Sequence, residues 1–337
     1  MEEIRNAKLY GVRLRRTWRE AGAKYLKEAT KSSIGRDADI LEALDPFIGD
    51  LPLTAVHMGT LQPFIENRRN GFMRDDKLVL WKMRTINYAL QTVRHILNLA
   101  AGEWMDEHGL TWLEHAPKIK LLREDDKREP HPLSWDEQER LFAALPGYLR
   151  NMAVFKVNTG CREQEVCRLR WEWEEQVPQL NTSVFIIPKF FDEAKRHGVK
   201  NREDRLVVLN SLAREVIEGQ RGIHPEYVFL NSRGRPVRRM CREAWRAARK
   251  KAKLLHVRVH DLKHTYGRRL RAAGVSFEDR QDLLGHKSAR ITTHYSAPEL
   301  LNLIQASERI CQDSRHKSDT LVILRKKRAE LRLVNSA

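Results

Sequence analysis

The sequence predicts a mainly α protein with one small β-sheet, an α+β chain in two domains. Three observations carry this. The first hundred residues hold apolar positions at helical spacing with charged residues between them. Two β-branched runs, Val184-Phe185-Ile186-Ile187 and Leu206-Val207-Val208-Leu209, bracket a polar stretch in the second half. Between the halves, residues 115–132 carry Pro117, Pro130 and Pro132 and a charged run from Arg123 to Glu129.

In chain order, Thr17 is placed to cap a helix reaching about Lys27, with Trp18, Ala21, Tyr25 and Leu26 on one face. Ala38 to Leu44 is a short helix ended near Asp45-Pro46. Thr60 can cap the next, over Thr60 to Asn67, with Pro63 in its first turn and Asn70-Gly71 at its end. The longest runs from about Lys82 to His108; Ile86, Leu90, Val93, Ile96, Leu97 and Ala100 make its apolar stripe and Gly109 closes it. Four such helices make a small bundle, a first domain over residues 1–114. Arg68, Arg69, Lys82, Arg84 and Arg94 are candidates to face a polyanion, although each alone also reads as part of a solvated face.

Residues 115–132 read as a linker with few apolar anchors, crossing open space. A second domain, 133–311, opens on the capping box Ser134-Trp135-Asp136-Glu137. Apolar helical stripes follow at Leu141–Leu145 and Met152–Val157. The two β runs suggest a hairpin with a long basic tip containing Lys195, Arg196, His197 and Lys200. Tyr227-Val228-Phe229-Leu230 is a candidate further strand, and helices return from Arg239. Residues 312–337 form a basic tail ending an otherwise repeat-free chain.

Length and charge narrow the function. A chain of 337 residues has room for two domains and a sizeable core. Its 62 Lys and Arg against 45 Asp and Glu give a formal charge of +17. Such a surface binds polyanions through counterion release, and nucleic acid suits it better than an anionic membrane. The N-terminus has no apolar signal region and no run is long enough to span a bilayer, so a cytoplasmic, nucleoid-associated protein is expected. Cys161, Cys167, Cys241 and Cys311 form no Cys-x-x-Cys pair, which argues for reduced thiols over disulfides or a zinc ribbon.

The residues with chemistry cluster in boxes: Thr159-Gly160-Cys161-Arg162-Glu163-Gln164-Glu165, then His260-Asp261-Leu262-Lys263-His264-Thr265, Leu284-Gly285-His286 and Thr293-His294-Tyr295. Arg162 follows a helix-ending turn and opens a helix over Glu163 to Leu169, a good place for a phosphate. His260 and Lys263 lie at i, i+3 and share a helical face.

Together these boxes resemble the active site of the tyrosine recombinase (phage integrase) family. The resemblance is close in the C-terminal half and general in layout in the N-terminal half. It implies a C-shaped two-domain DNA clamp, with residues 1–114 as the core-binding domain and 133–311 as the catalytic domain. It implies site-specific breakage and rejoining of double-stranded DNA through a 3′-phosphotyrosyl intermediate, without cofactor or metal. Tyr295 is then the nucleophile, because a phenolate is both a moderate nucleophile and a tolerable leaving group. Arg162, Lys263 and His286 would stabilise phosphate charge, His260 would donate to a phosphate oxygen or assist the Tyr295 proton, and Glu165 would orient the site. Lys200 would be the general acid, with Lys189 and Lys195 as rivals. The family has an arginine where this chain has Lys263. A tetramer on two DNA sites follows from the resemblance, with residues 298–310 packing on a neighbouring protomer or on their own domain. Accessory DNA-bending or directionality factors are possible partners. A separate N-terminal arm-binding domain of ordinary size is not expected, because the bundle begins near Thr17.

Three other readings compete. His260-Asp261-Leu262-Lys263-His264 is similar to the zinc-protease motif, but its acid is one methylene short and no third ligand is evident. A type IB topoisomerase would use the same chemistry without paired sites. A non-catalytic DNA-binding protein of the same fold would form no covalent adduct.

Overall fold

The computed structural model describes residues 12–31, 33–192, 197–198, 203–286 and 297–312. These divide into two compact units that meet in sequence between Glu129 and Pro130. Lys200, Lys195, Tyr295 and the tail from 313 lie outside the described residues.

The first unit is built on four helices: α1 (Trp18–Glu28), α2 (Ile34–Ile48), α3 (Met58–Asn70) and α4 (Met83–Gly102). Trp18, Leu44, Phe64, Leu90 and Ile96 are buried at their common centre. Thr17 caps α1 through a capping box with Glu20, as its sequence predicts. At the heart of the unit Asp37 is fully buried and accepts hydrogen bonds from the Tyr25 and Tyr88 hydroxyls while pairing with Lys31.

Several boundaries differ from the sequence reading. Helix α2 continues through Pro46 to Ile48, because burying Ile48 one turn beyond Leu44 outweighs the one backbone bond that proline removes. Helix α3 starts at Met58, capped by His57, whose Nδ1 accepts from Gly59 N–H at 3.1 Å; Thr60 sits one turn inside and bonds back to His57 N–H at 3.0 Å. Helix α4 stops at Gly102 rather than His108, and Leu113 N–H takes the Ala100 carbonyl instead. Gly109 closes a later turn held by the Asp106 carboxylate. A hairpin, β1 (Phe72–Arg74) and β2 (Lys77–Val79), joins α3 to α4 through Asp75 and Asp76, both at positive φ. Residues 115–122 do not cross open space. Ile119 is buried against the bundle, and the Asn87 side chain bonds both backbone groups of Leu122, at 2.7 and 2.8 Å.

The second unit surrounds a three-stranded antiparallel sheet ordered β3 (Glu174–Val177), β4 (Thr182–Ile187), β7 (Arg205–Val208). A two-stranded extension, β5 (Phe190–Asp192) with β6 (His197–Gly198), continues the expected hairpin. Helices α5 (Trp135–Ala144), α6 (Gly147–Thr159), α7 (Glu163–Cys167), α8 (Ser211–Glu218), α9 (Glu243–Lys251), α10 (Val259–Ala272), α11 (Phe277–Leu284) and α12 (Ala297–Gln312) pack around it. The Ser134–Glu137 capping box is present. Tyr227–Leu230 is no strand; it makes single bridges, Tyr227 with Arg170 and Leu230 with Pro236, while Val228 and Phe229 plug the core. Helix α12 packs on its own unit, with Leu300, Leu303, Ala306 and Ile310 buried against Tyr266 and Leu270, and Ser307 Oγ 3.0 Å from the Tyr266 hydroxyl.

Arg68 corrects the proposed basic face. Its side chain is buried, with the guanidinium 4.0 Å from the Phe72 ring centroid and 5.2 Å from that of Trp81, and it donates to the Ala43 carbonyl at 3.0 Å. Arg69, Lys82, Arg84 and Arg94 are exposed. Arg68→Ala should therefore lower unfolding stability by about 2 kcal/mol, the size of a desolvated cation–π contact. Denaturant titration reads that loss.

Candidate active site

Two helix ends face each other in the second unit, and cations are set into both. Helix α6 ends at Thr159, with Gly160 left-handed at φ 63°. Helix α11 ends at Leu284, with Gly285 left-handed at φ 56°. Glycine is needed at each: a Cβ on Gly160 would lie 2.6 Å from a Tyr266 ring carbon, and one on Gly285 would lie 2.6 Å from Arg205 Nε. The last carbonyls of a helix have no partner within it and sit at the negative end of its dipole. Here side-chain cations take them up one by one.

On α11, Arg205 donates to Leu283 O at 3.3 Å, Lys263 to Leu284 O, and Arg162 to Gly285 O at 3.1 Å. On α6, Arg205 donates to Thr159 O at 3.3 Å, Lys263 to Gly160 O at 2.9 Å, and Lys156 to Cys161 O. Three of these cations, Lys156, Arg205 and Lys263, are buried. Their counterion is Glu165, itself buried, which takes Arg162 N–H at 2.7 Å, the Arg162 guanidinium at 2.8 Å and the Arg205 guanidinium.

These charges set the protonation of the site. Burial alone would raise the Glu165 carboxyl, but Arg205 and the bonds from Arg162 hold it down at about 2. Burial, followed by the Arg205 and Arg162 charges, pushes the Lys263 ammonium down to about 6. Burial lowers Lys156 to about 8. His260 drops to about 4 through burial and then the Lys156 charge, and His286 is lowered by burial and then by Lys263 and Arg162. Both histidines are therefore neutral near pH 7 and present one N–H and one lone pair each.

Helix α10 carries His260, Lys263 and His264 along one face, with the His260 and His264 rings 4.8 Å apart, edge to face. Beside them an open cleft of about 650 Å³ is lined by Pro132, His260, Lys263, His264, Arg268, Arg271 and His286, among others. Of the sequence candidates, the structure thus gathers His260, Lys263 and His286 on this cleft, with Arg162 joined to its rim through Gly285. Glu165 pairs with both the Arg162 and the Arg205 guanidiniums. Lys189 is exposed, its N–H bonded to Asp204 at 2.7 Å. Sequence reasoning missed Arg205, Lys156, Arg268 and Arg271. Arg205 opens the β7 apolar run and reads as a hairpin charge; Lys156 interrupts the apolar stripe of α6, and that interruption was the available signal.

The sequence matches the phage integrase family over residues 132–300, about half of the chain. The chain belongs to that family, the tyrosine recombinases. It is 29% identical over 223 residues to the integrase of Salmonella phage P22, covering 61% of this chain and 52% of that one, so it spans about half of that relative's length. It is 27% identical over 241 residues to the tyrosine recombinase XerC of Bacillus subtilis, covering 65% and 73%. Among solved structures, the Tn1549 transposon integrase in complex with transposon right end DNA superposes with a TM-score of 0.59 at 15% identity, covering 92% of this chain and 99% of that one. The lambda integrase dimer bound to a core site gives 0.53 at 15% identity, covering 83% and 99%. At such identities the likeness is one of fold, and it agrees with the mainly helical architecture described above. No helix among the described residues is long and apolar enough to cross a membrane.

The Glu165 ion cluster makes stability depend on pH in a stated direction. A carboxyl near 4.5 when unfolded and about 2 when folded stabilises the fold fully above pH 4.5, and that stability is lost as pH falls toward 2. The expected contribution is about 3 kcal/mol. Urea melts from pH 6 to pH 2 should show this slope in the parent. Glu165→Gln, which strands Arg205, should lose about 3–5 kcal/mol at pH 7 and flatten the slope.

Proposed function

We propose that this chain is a site-specific DNA recombinase that cuts one strand at a time through Tyr295. The tyrosine hydroxyl gives its proton to the neutral His260 as its oxygen attacks the scissile phosphorus, an O–P bond to the tyrosine forms, and the bond to the 5′ oxygen breaks. That oxygen leaves as a hydroxyl after taking a proton, and the 3′ end is held as a phosphotyrosyl ester. A 5′-hydroxyl from another strand then attacks the ester and restores the tyrosine. The observation that supports this reading best is the convergence of Arg162, His260, Lys263 and His286 beside a cleft open enough for a phosphodiester backbone. Within this proposal Arg162 and Lys263 bear the charge growing on the non-bridging oxygens, and the neutral histidines hydrogen-bond them. Lys200 supplies the proton to the leaving oxygen. The substrate is double-stranded DNA, worked on by a tetramer across two sites with accessory DNA-bending factors, in the nucleoid. The relatives named above, an integrase and a tyrosine recombinase, support the same reading.

Lys263 gives this site a pH behaviour that an arginine would not. In the free protein it is neutral above about pH 6, and a phosphate at the cleft must draw its proton back. Single-turnover cleavage at subsaturating protein should therefore fall as pH rises from 6 to 8. Lys263→Arg should abolish that limb, because a guanidinium stays charged. Lys263→Ala should slow cleavage about a hundredfold or more.

Tyr295→Phe should form no covalent adduct with a nicked suicide substrate, while DNA affinity stays within about threefold of the parent. Gel separation of adduct from free protein reads this directly. An adduct formed by the Phe variant would remove Tyr295 from the nucleophile's role. No adduct from the parent, despite tight DNA binding, would favour a non-catalytic binder.

A further inference from the structure

A second cluster of chemistry lies outside the cation site. His131, Glu137 and His256 bring one ligand atom each to a common point, all within 4.8 Å of one another. His131 Nε2 stands 3.0 Å from Glu137 Oε1 and 3.1 Å from His256 Nε2. The two imidazoles meet nearly edge to face, with ring centroids 4.2 Å apart and planes at 80°.

We propose that His131, Glu137 and His256 form a binding site for a divalent transition-metal ion of the zinc class. A ring nitrogen carries one in-plane proton or one in-plane lone pair, so His131 Nε2 cannot make a full two-centre hydrogen bond to both neighbours at once. A cation at the centre engages all three lone pairs together. Tetrahedral zinc with bonds of about 2.0–2.1 Å puts neighbouring ligand atoms about 3.3 Å apart, close to the two contacts seen here. Two imidazoles and a carboxylate are a donor set suited to zinc, and they leave a fourth position for water.

The ligands are also held in place by bonds that coordination would leave intact. Glu137 uses its other oxygen, Oε2, to accept Ser134 N–H at 2.8 Å, which fixes the carboxylate at the start of α5. The His131 backbone N–H donates to Asp261 at 3.2 Å, and Leu133 N–H donates to Thr265 Oγ1 at 2.9 Å. Arg249 donates to the carbonyls of Leu255 and Val257, both at 2.7 Å, and so holds the backbone on either side of His256. Ligands oriented by such outer bonds bind metal more tightly than free ones.

The position gives the ion a task. Pro132, directly after His131, lines the cleft beside His260, and His256 lies four residues before His260. Metal at this site ties residues 131–133 to the loop that leads into α10 and stiffens one wall of the cleft. The ion is a clamp on the site's frame and takes no part in strand cleavage. This inference does not rest on the proposed recombination chemistry.

The full-length protein, stripped with chelator and dialysed, is titrated with zinc and, as a spectroscopic probe, with cobalt(II). The expected result is one ion per chain and a cobalt spectrum of nitrogen and oxygen ligation without a thiolate band. His256→Ala, at an exposed position and with unchanged far-ultraviolet circular dichroism, should bind at least tenfold more weakly. His264→Ala should bind like the parent, and magnesium should not compete. Failure of the parent to bind zinc, equal binding by His256→Ala, a thiolate band, or loss of binding in His264→Ala in place of His256→Ala would overturn the assignment.

Discussion

Six carbonyls at two helix ends, three consecutive ones on each, are taken up by four cations, and the second unit is organised by that exchange. Arg205 and Lys263 each reach both ends, so α6 and α11 are joined through charge and not through apolar contact alone. Each helix dipole presents its negative end to the cluster, which offsets part of the cost of burying positive charge. Glu165 supplies the full negative charge that the dipoles do not, and its grip on Arg162 and Arg205 fixes both guanidiniums in one orientation. The glycines at the two ends are required because side chains there would collide with Tyr266 and Arg205.

The same arrangement explains why lysine serves at position 263. When protonated, its ammonium has three donors, and two of them go to Gly160 and Leu284. One donor remains for a ligand, against the two-toothed grip an arginine would offer. The lysine is thus a strut between helices and, once protonated, a charge at the cleft; its depressed protonation follows from burial and then from the crowding of two arginines.

What could be read from the sequence was what side-chain identity records locally. The capping boxes at Thr17 and Ser134, the long stripe of α4, and the pairing of His260 with Lys263 on one face are short-range patterns, and each is present. What escaped depends on distant or backbone partners. Arg205 owes its role to Glu165, 40 residues earlier, and to carbonyls, which leave no mark on residue type. Strand β3 is Glu-Glu-Gln-Val, poor in strand formers, and exists because β4 offers it an edge. The β1–β2 turn uses two aspartates at positive φ in place of the usual asparagine–glycine. The supposed linker misled because Ile119, Leu121 and Leu122 are few, yet one asparagine suffices to fasten them.

The span of these contacts has a consequence for how the chain matures on the ribosome. Arg162 finds its carbonyl at Gly285, 123 residues later, and Arg205 finds Leu283 78 residues later. Until α11 has emerged, Arg162, Arg205 and Lys263 each lack one carbonyl acceptor, and their mutual repulsion is answered by Glu165 and the end of α6. The nascent second unit therefore carries its basic cluster incompletely neutralised through most of its synthesis. Closure of the site is a late folding event, set by loop length more than by local helix formation. Chains cut short before residue 283 would expose an open basic nest, the kind of surface that cellular polyanions occupy first.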